Sequence, residues 1–173
     1  MRPEIKGEIN EEVINLLVSL MENILGKSAV QVILKNCKDK TDGRRLVYKF
    51  AEETQKLLGD KGSFAAMRQL GRELAKKLME EHPKEEWEEI LATTLNNLGF
   101  AKQIRKEKDR AFICDCVFYD ILEENNLKPI THAVCWAGWG FIEGFVKEIE
   151  GVKGIQWVSR DYQHRSCQFD FIK

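Results

Sequence analysis

Leu98-Gly-Phe-Ala-Lys-Gln-Ile-Arg-Lys-Glu-Lys-Asp-Arg-Ala-Phe-Ile-Cys-Asp-Cys116 is the stretch at which the residue pattern changes period. Before Leu98, apolar residues recur every three or four positions, as on the buried face of a helix. From Phe100 onward that spacing stops. Phe100 to Lys106 and Ala111 to Cys116 carry the aromatic and β-branched residues of two strands, and the charged run Arg105-Lys-Glu-Lys-Asp-Arg110 supplies a solvated turn between them. An antiparallel hairpin is predicted here.

Toward the N-terminus, Asn10 followed by Glu11 and Glu12 has the character of a helix cap with an acidic first turn, and Val13, Leu16, Leu17, Leu20, Met21 and Ile24 form one apolar stripe ending at Gly26. Ser28 is the expected cap of a short second helix to Asn36, followed by a polar loop to Gly43. Leu46 to Leu58 predicts a third helix ending at Gly59, and Ser63 begins a fourth with Phe64, Met67, Leu70, Leu74 and Leu78 on one side. Pro83 suits the first turn of a fifth helix that stops at Leu98. Toward the C-terminus, Phe118 to Asn125 predicts a short helix, and a longer one starts at His132 and ends near Gly151. Ile155 to Ser159 and Ser166 to Ile172 alternate as a second hairpin. Helices first and strands later predict an α+β fold, with N-terminal helices followed by a helix-covered antiparallel β-sheet of about four strands. The leucine-glycine stretches near Ile24 and Leu57 are weakly alike, as two similar helical hairpins would be.

With 173 residues, 43% of them hydrophobic, the chain fits one compact domain with a proper core. Its 27 basic and 28 acidic residues nearly cancel, so no net field attracts a polyanion, and nucleic acid is not an expected partner. The first residues lack an apolar signal core and no stretch approaches a membrane span, which predicts a cytoplasmic protein. Five cysteines in a reducing compartment then point to buried thiols or metal ligands rather than disulfides. Richness in Lys and Glu with three prolines is compatible with a thermophile.

The chemistry concentrates in His132-Ala-Val-Cys-Trp-Ala-Gly-Trp-Gly-Phe-Ile-Glu-Gly-Phe145. His132 and Cys135, three apart at a helix start, share a face if both are helical, and the helix N-terminus favours a thiolate. Cys116 at a strand end and Cys167 inside the last strand can approach the same end of the sheet if that strand is central. Cys116, His132, Cys135 and Cys167 are therefore the candidate metal ligands, a closed tetrahedral set suited to structural zinc, with an iron–sulfur cluster as the alternative. Cys114 and His164 are substitute ligands, whereas buried core thiols are the bland alternative for any of the cysteines. Cys37 stands apart as an indifferent thiol and His82 as a helix-end residue. Trp136, Trp139 and Phe145, interleaved with Gly138, Gly140 and Gly144, suggest an apolar pocket, and ordinary helix-on-sheet packing is the competing reading for each ring.

Two stretches carry a family likeness. Residues from about 47 to 173 resemble the 4-vinyl reductase domain, a small-molecule-binding module. Leu58-Gly-Asp-Lys-Gly-Ser-Phe-Ala-Ala-Met-Arg-Gln-Leu-Gly-Arg72 is similar to its helix pair with Gly-Arg. Cys135-Trp-Ala-Gly-Trp-Gly-Phe-Ile-Glu-Gly-Phe145 with Cys167-Gln-Phe is similar to its Cys, Gly-Phe-x-x-Gly and terminal Cys-x-Phe pattern. Relatives include phenol-sensing domains of transcription activators, components of the TRAPP tethering complex and bacteriochlorophyll-pathway proteins. The resemblance implies a cavity for hydrocarbon-like ligands, frequent homodimerisation, and zinc on the positions of Cys135 and Cys167. Gln156 and Ser159 stand where the sensors carry a glutamate and another cysteine. Aminothiazoline-carboxylate hydrolase-like proteins place ligands similarly to Cys116 and His132, which supplies an enzymatic alternative: a hydrolase that uses a Cys135–His132 pair or a metal. A dimerisation subunit of a larger assembly is the other alternative.

The expectation is a small lipophilic molecule bound between the helical layer and the sheet, lined by Phe64, Met67, Leu70, Trp136, Trp139 and Phe145. Residues 1–46 are read as a helical extension that covers the cavity or supports a dimer.

Overall fold

The computed structural model describes residues 11–37, 43–98, 100–114, 116 and 118–173. Helices α1 (Glu11–Leu25), α2 (Lys27–Lys35), α3 (Gly43–Glu81) and α4 (Trp87–Leu98) precede strands β1 (Gln103–Glu107) and β2 (Arg110–Cys114). Helices α5 (Phe118–Glu124) and α6 (Ala133–Glu150) and strands β3 (Gly154–Asp161) and β4 (Ser166–Ile172) complete the fold. The fold is α+β, with one four-stranded antiparallel sheet in the order β1-β2-β4-β3. Strand β4 is central, so Cys167 pairs with Ile113 on one side and Arg160 on the other. No helix among the described residues is long and apolar enough to cross a membrane.

The helix boundaries follow backbone chemistry with two corrections. Ser28 is not the cap of α2: Gly26 takes that position at φ 89, without a side-chain hydrogen bond, because only a glycine makes so tight a junction with α1 cheaply. The third predicted helix ends at Gly59 (φ 76, ψ 177) as expected, but the next one resumes directly after it, ahead of Ser63, so α3 is two helices that meet at a kink. Ser63 lies inside the resumed helix, its hydroxyl donating to the Asp60 carbonyl at 3.1 Å. The predicted cap Asn10 lies outside the described residues, as does much of the predicted loop from Lys35 to Gly43. Pro83 precedes a single 3-10 turn (Lys84–Glu86) that leads into α4.

Helix α6 is the centre of the molecule. Phe141, Ile142 and Phe145 are fully enclosed, and the helix crosses α3 at backbone contact distance. A Cβ on Gly140 would lie 1.9 Å from the Arg68 carbonyl oxygen, and one on Gly71 would lie 2.2 Å from that of Ala137. These glycines exist for close approach. The buried carboxylate of Glu143 then ties three elements together: it accepts from Arg68 Nη2 at 2.7 Å, from Arg68 Nε at 3.2 Å and from the Ile155 N–H at 3.2 Å. Helix α3 begins at Gly43 and runs through the expected boundary at residue 46. Met21, Val30 and Ile33 of α1 and α2 belong to the same buried cluster as the rest.

Candidate functional site

The most apolar cavity lies between the α1–α2 pair and helices α3, α4 and α6. Leu17 and Val18 reach it from α1, Leu34 from α2, Val47, Phe50, Met67 and Leu70 from α3, Leu98 from α4, and Phe141 from α6. About 50 Å³ of it is open to a water-sized sphere, and among the described residues no lining side chain carries a nitrogen or oxygen. Helix α1 covers the cavity because the predicted stripe does face inward: Met21 is fully buried, while Leu17 and Val18 are half-buried at the edge.

Of the six predicted lining residues, Met67 and Leu70 line this cavity. Phe64 stacks on Trp136 with centroids 4.9 Å apart, Trp136 stacks on Trp139 at 4.6 Å, and the Arg68 guanidinium sits 4.5 Å from the Trp139 ring centroid. Phe145 is fully buried against Phe141 in the core. The cavity thus lies on the far side of α3 and α6 from the sheet. Leu17 belongs to the stripe predicted for the first helix, whereas Leu34 and Phe141 carry no such mark in the sequence, and periodicity does not separate a cavity wall from a packed core.

A second, smaller cleft lies between α6 and the sheet, and here three of the four predicted metal ligands meet. Cys116, Cys135 and Cys167 all line it, together with Trp157, Arg160 and an apolar wall that includes Ile113, Leu122 and Trp139. Arg160 Nη1 donates to the Cys167 sulfur at 3.2 Å. Burial pushes the Cys135 thiol up to about 12, and the neighbouring Cys116 and Cys167 add to that shift. The predicted preference of Cys135 for thiolate is thereby reversed, since desolvation outweighs the pull of the helix N-terminus.

His132 does not join them. It is the N-cap of α6 rather than part of the helix, with an extended backbone (φ −116, ψ 141), so the shared-face relation of two helical residues three apart does not apply. Its Nδ1 accepts from the Val134 N–H at 3.1 Å, its ring stacks on Tyr48 at 4.3 Å, and its Nε2 is buried without a hydrogen-bond partner. Burial lowers its pKa to about 4, against an opposing pull from Glu52. Neither ring nitrogen bonds Cys135, so the Cys–His pair of a thiol hydrolase is not assembled. Among the described residues, no three His, Cys, Asp or Glu side chains form a group that could hold a metal ion. The substitute ligand His164 is exposed and pairs with Asp161 at 2.6 Å, while the side chain of Cys114 lies outside the described residues. Cys37 is buried and donates to the Ile33 carbonyl, and His82 pairs with Glu86 at a helix end.

Gln55 holds the α6 entrance in place. Its Oε1 accepts from the Ala133 N–H at 3.0 Å and its amide donates to the Thr131 carbonyl at 3.2 Å. Nothing in the sequence pattern singles it out, because these two partners lie more than 70 positions away.

No protein-family model and no curated protein matches the chain. Among solved structures, a point variant of Tt H-NOX is similar, with a TM-score of 0.54 at 13% identity over 94% of each chain. A Cs H-NOX mutant that carries the unnatural amino acid 4-cyano-L-phenylalanine gives the same score and identity, covering 94% of this chain and 96% of its own. The likeness is one of fold and extends over nearly the whole chain.

Proposed function

We propose that this chain binds a small, uncharged, apolar molecule in the cavity beneath α1 and α2. The observation that carries the reading is the lining of this cavity, apolar at every described residue, between helices from both halves of the helical layer. A site without a donor or acceptor gives a polar ligand nothing in exchange for its hydration, so it selects for hydrocarbon-like groups. The 4-vinyl reductase likeness and the H-NOX-like fold both support small-ligand binding, the first through its motifs and the second through the kind of domain its name denotes.

H-NOX domains bind haem, but the residues here do not fit it. Haem iron needs an axial histidine, cysteine, tyrosine or methionine donor facing an apolar cavity. His82 and His164 are engaged in surface ion pairs, His132 caps α6, and the cysteines of the thiol cleft stand outside the apolar cavity. Met67 supplies the single sulfur in the described lining, without the histidine that accompanies a methionine ligand to haem. The proposed ligand is therefore organic rather than iron-bound.

The test is displacement of a fluorescent apolar probe, 1-aminoanthracene, by toluene and naphthalene in the wild type and in Val18→Phe, which fills the cavity from its half-buried edge. Binding that weakens at least about tenfold in the variant, at an unchanged or higher melting temperature, supports the site. Equal affinity in both proteins refutes it.

A further inference from the structure

The thiol cleft is separate from the apolar cavity, and the proposed ligand makes no use of it. Cys167 sits on the central strand with its half-buried sulfur against the Arg160 guanidinium, 3.2 Å away. Trp157 lines the same cleft, and its buried Nε1 has no hydrogen-bond partner. Such an indole N–H lacks an acceptor that it needs. Ile113, Leu122 and Trp139 make the remaining wall apolar. Ile130, also in the wall, holds a left-handed backbone at φ 57, a costly conformation for a β-branched residue, and its carbonyl is fixed by Trp136 Nε1 at 2.9 Å. A sulfur beside a cation, an N–H that seeks an acceptor and an apolar wall together match one ligand chemistry.

We propose that this cleft is a second small-molecule site, which takes compact apolar α,β-unsaturated carbonyl compounds and adds the Cys167 sulfur to them. In the addition, the S–C bond forms at the β-carbon and the π pair moves onto the carbonyl oxygen, toward the N–H groups of Trp157 and Arg160. The proton given up by the thiol ends on the α-carbon. The adduct is the sum of its two reactants, so neither oxidant nor reductant takes part. Arg160 Nη1, donating to the Cys167 sulfur at 3.2 Å, holds that sulfur in the cleft for attack. Burial pushes the Cys135 thiol up to about 12, which makes it the poorer nucleophile of the cleft.

The experiment uses the full chain with substoichiometric N-phenylmaleimide, mapping the adduct by peptide mass spectrometry and following its rate against concentration. The proposal expects Cys167 to be labelled first, at least about tenfold faster than the other cysteines, with a rate that saturates because binding precedes bond formation. Trp157→Phe and Arg160→Met should each slow that labelling at least about fivefold while the melting temperature shows the variant folded. Val18→Phe should leave labelling unchanged, which separates failure here from failure of the apolar cavity. Labelling that begins at another cysteine, or a Cys167 rate linear in concentration, overturns the proposal on the wild-type protein alone, whatever the variants do.

Discussion

Single residues decide two properties. His132 is a neutral imidazole whose Nδ1 accepts the Val134 N–H, and charging it would remove that acceptor inside a buried site. Its folded pKa near 4 lies below the ordinary 6.5, so between those values the unfolded chain binds a proton that the folded chain refuses. Stability from this residue is complete above pH 6.5, declines as pH falls toward 4 and changes no further below that, by about 3 kcal/mol in all. His132→Asn keeps a cap acceptor and removes the titration. Urea midpoints measured from pH 8 to 4 should fall less steeply in this variant than in the wild type, and parallel curves would rule out His132 as the cause. Glu143 is the other decisive side chain. Glu143→Ala leaves Arg68 and the Ile155 N–H without their acceptor, and calorimetry should find a loss of about 3 kcal/mol. The sequence offered His132 and Cys135 as neighbours on a helical face. What it did not reveal was that one of them caps the helix, because capping depends on φ and ψ rather than on residue type alone.

Among the elements, the α3–α6 crossing is the contact on which the rest is assembled. Gly140→Ala would drive a Cβ into the Arg68 backbone, which cannot turn aside, and should cost about 3 kcal/mol or the fold itself. Gly138→Ala meets only the Phe100 ring at 2.6 Å, a side chain able to shift, so the expected loss in melting temperature is clearly smaller. Gly59→Ala has open space around its Cβ and suffers through its backbone alone, at about 1–3 kcal/mol. Thermal melts of the three variants should rank Gly140→Ala as the worst, and a milder effect there than at Gly138 would contradict the crossing geometry. The central place of β4 entered only as a condition, since strand order is non-local; the legible features at this scale are the helical stripes and the change of period after Leu98. Each is a local repeat that the chain displays openly. The break at Gly59 was legible in the same way, whereas the start of the next helix ahead of Ser63 was not, because a serine can cap a helix or sit inside its first turn.

For the whole molecule, the question is which face of the helical layer takes the ligand. The aromatic, glycine-rich α6 suggested the sheet side, yet the rings of Phe64, Trp136 and Trp139 are occupied with one another and with Arg68. The more apolar of the two spaces lies where α1 and α2 cover α3, and the smaller cleft between α6 and the sheet keeps Trp139 in its wall. Long-range placement of this kind depends on how two helical layers leave a gap, which periodicity does not record. Methyl NMR of leucine- and valine-labelled protein titrated with toluene tests the location most directly. Shifts concentrated at Leu17, Val18, Leu34, Val47, Leu70 and Leu98 are the predicted result, whereas shifts confined to other methyls, or none at saturating toluene, would contradict it.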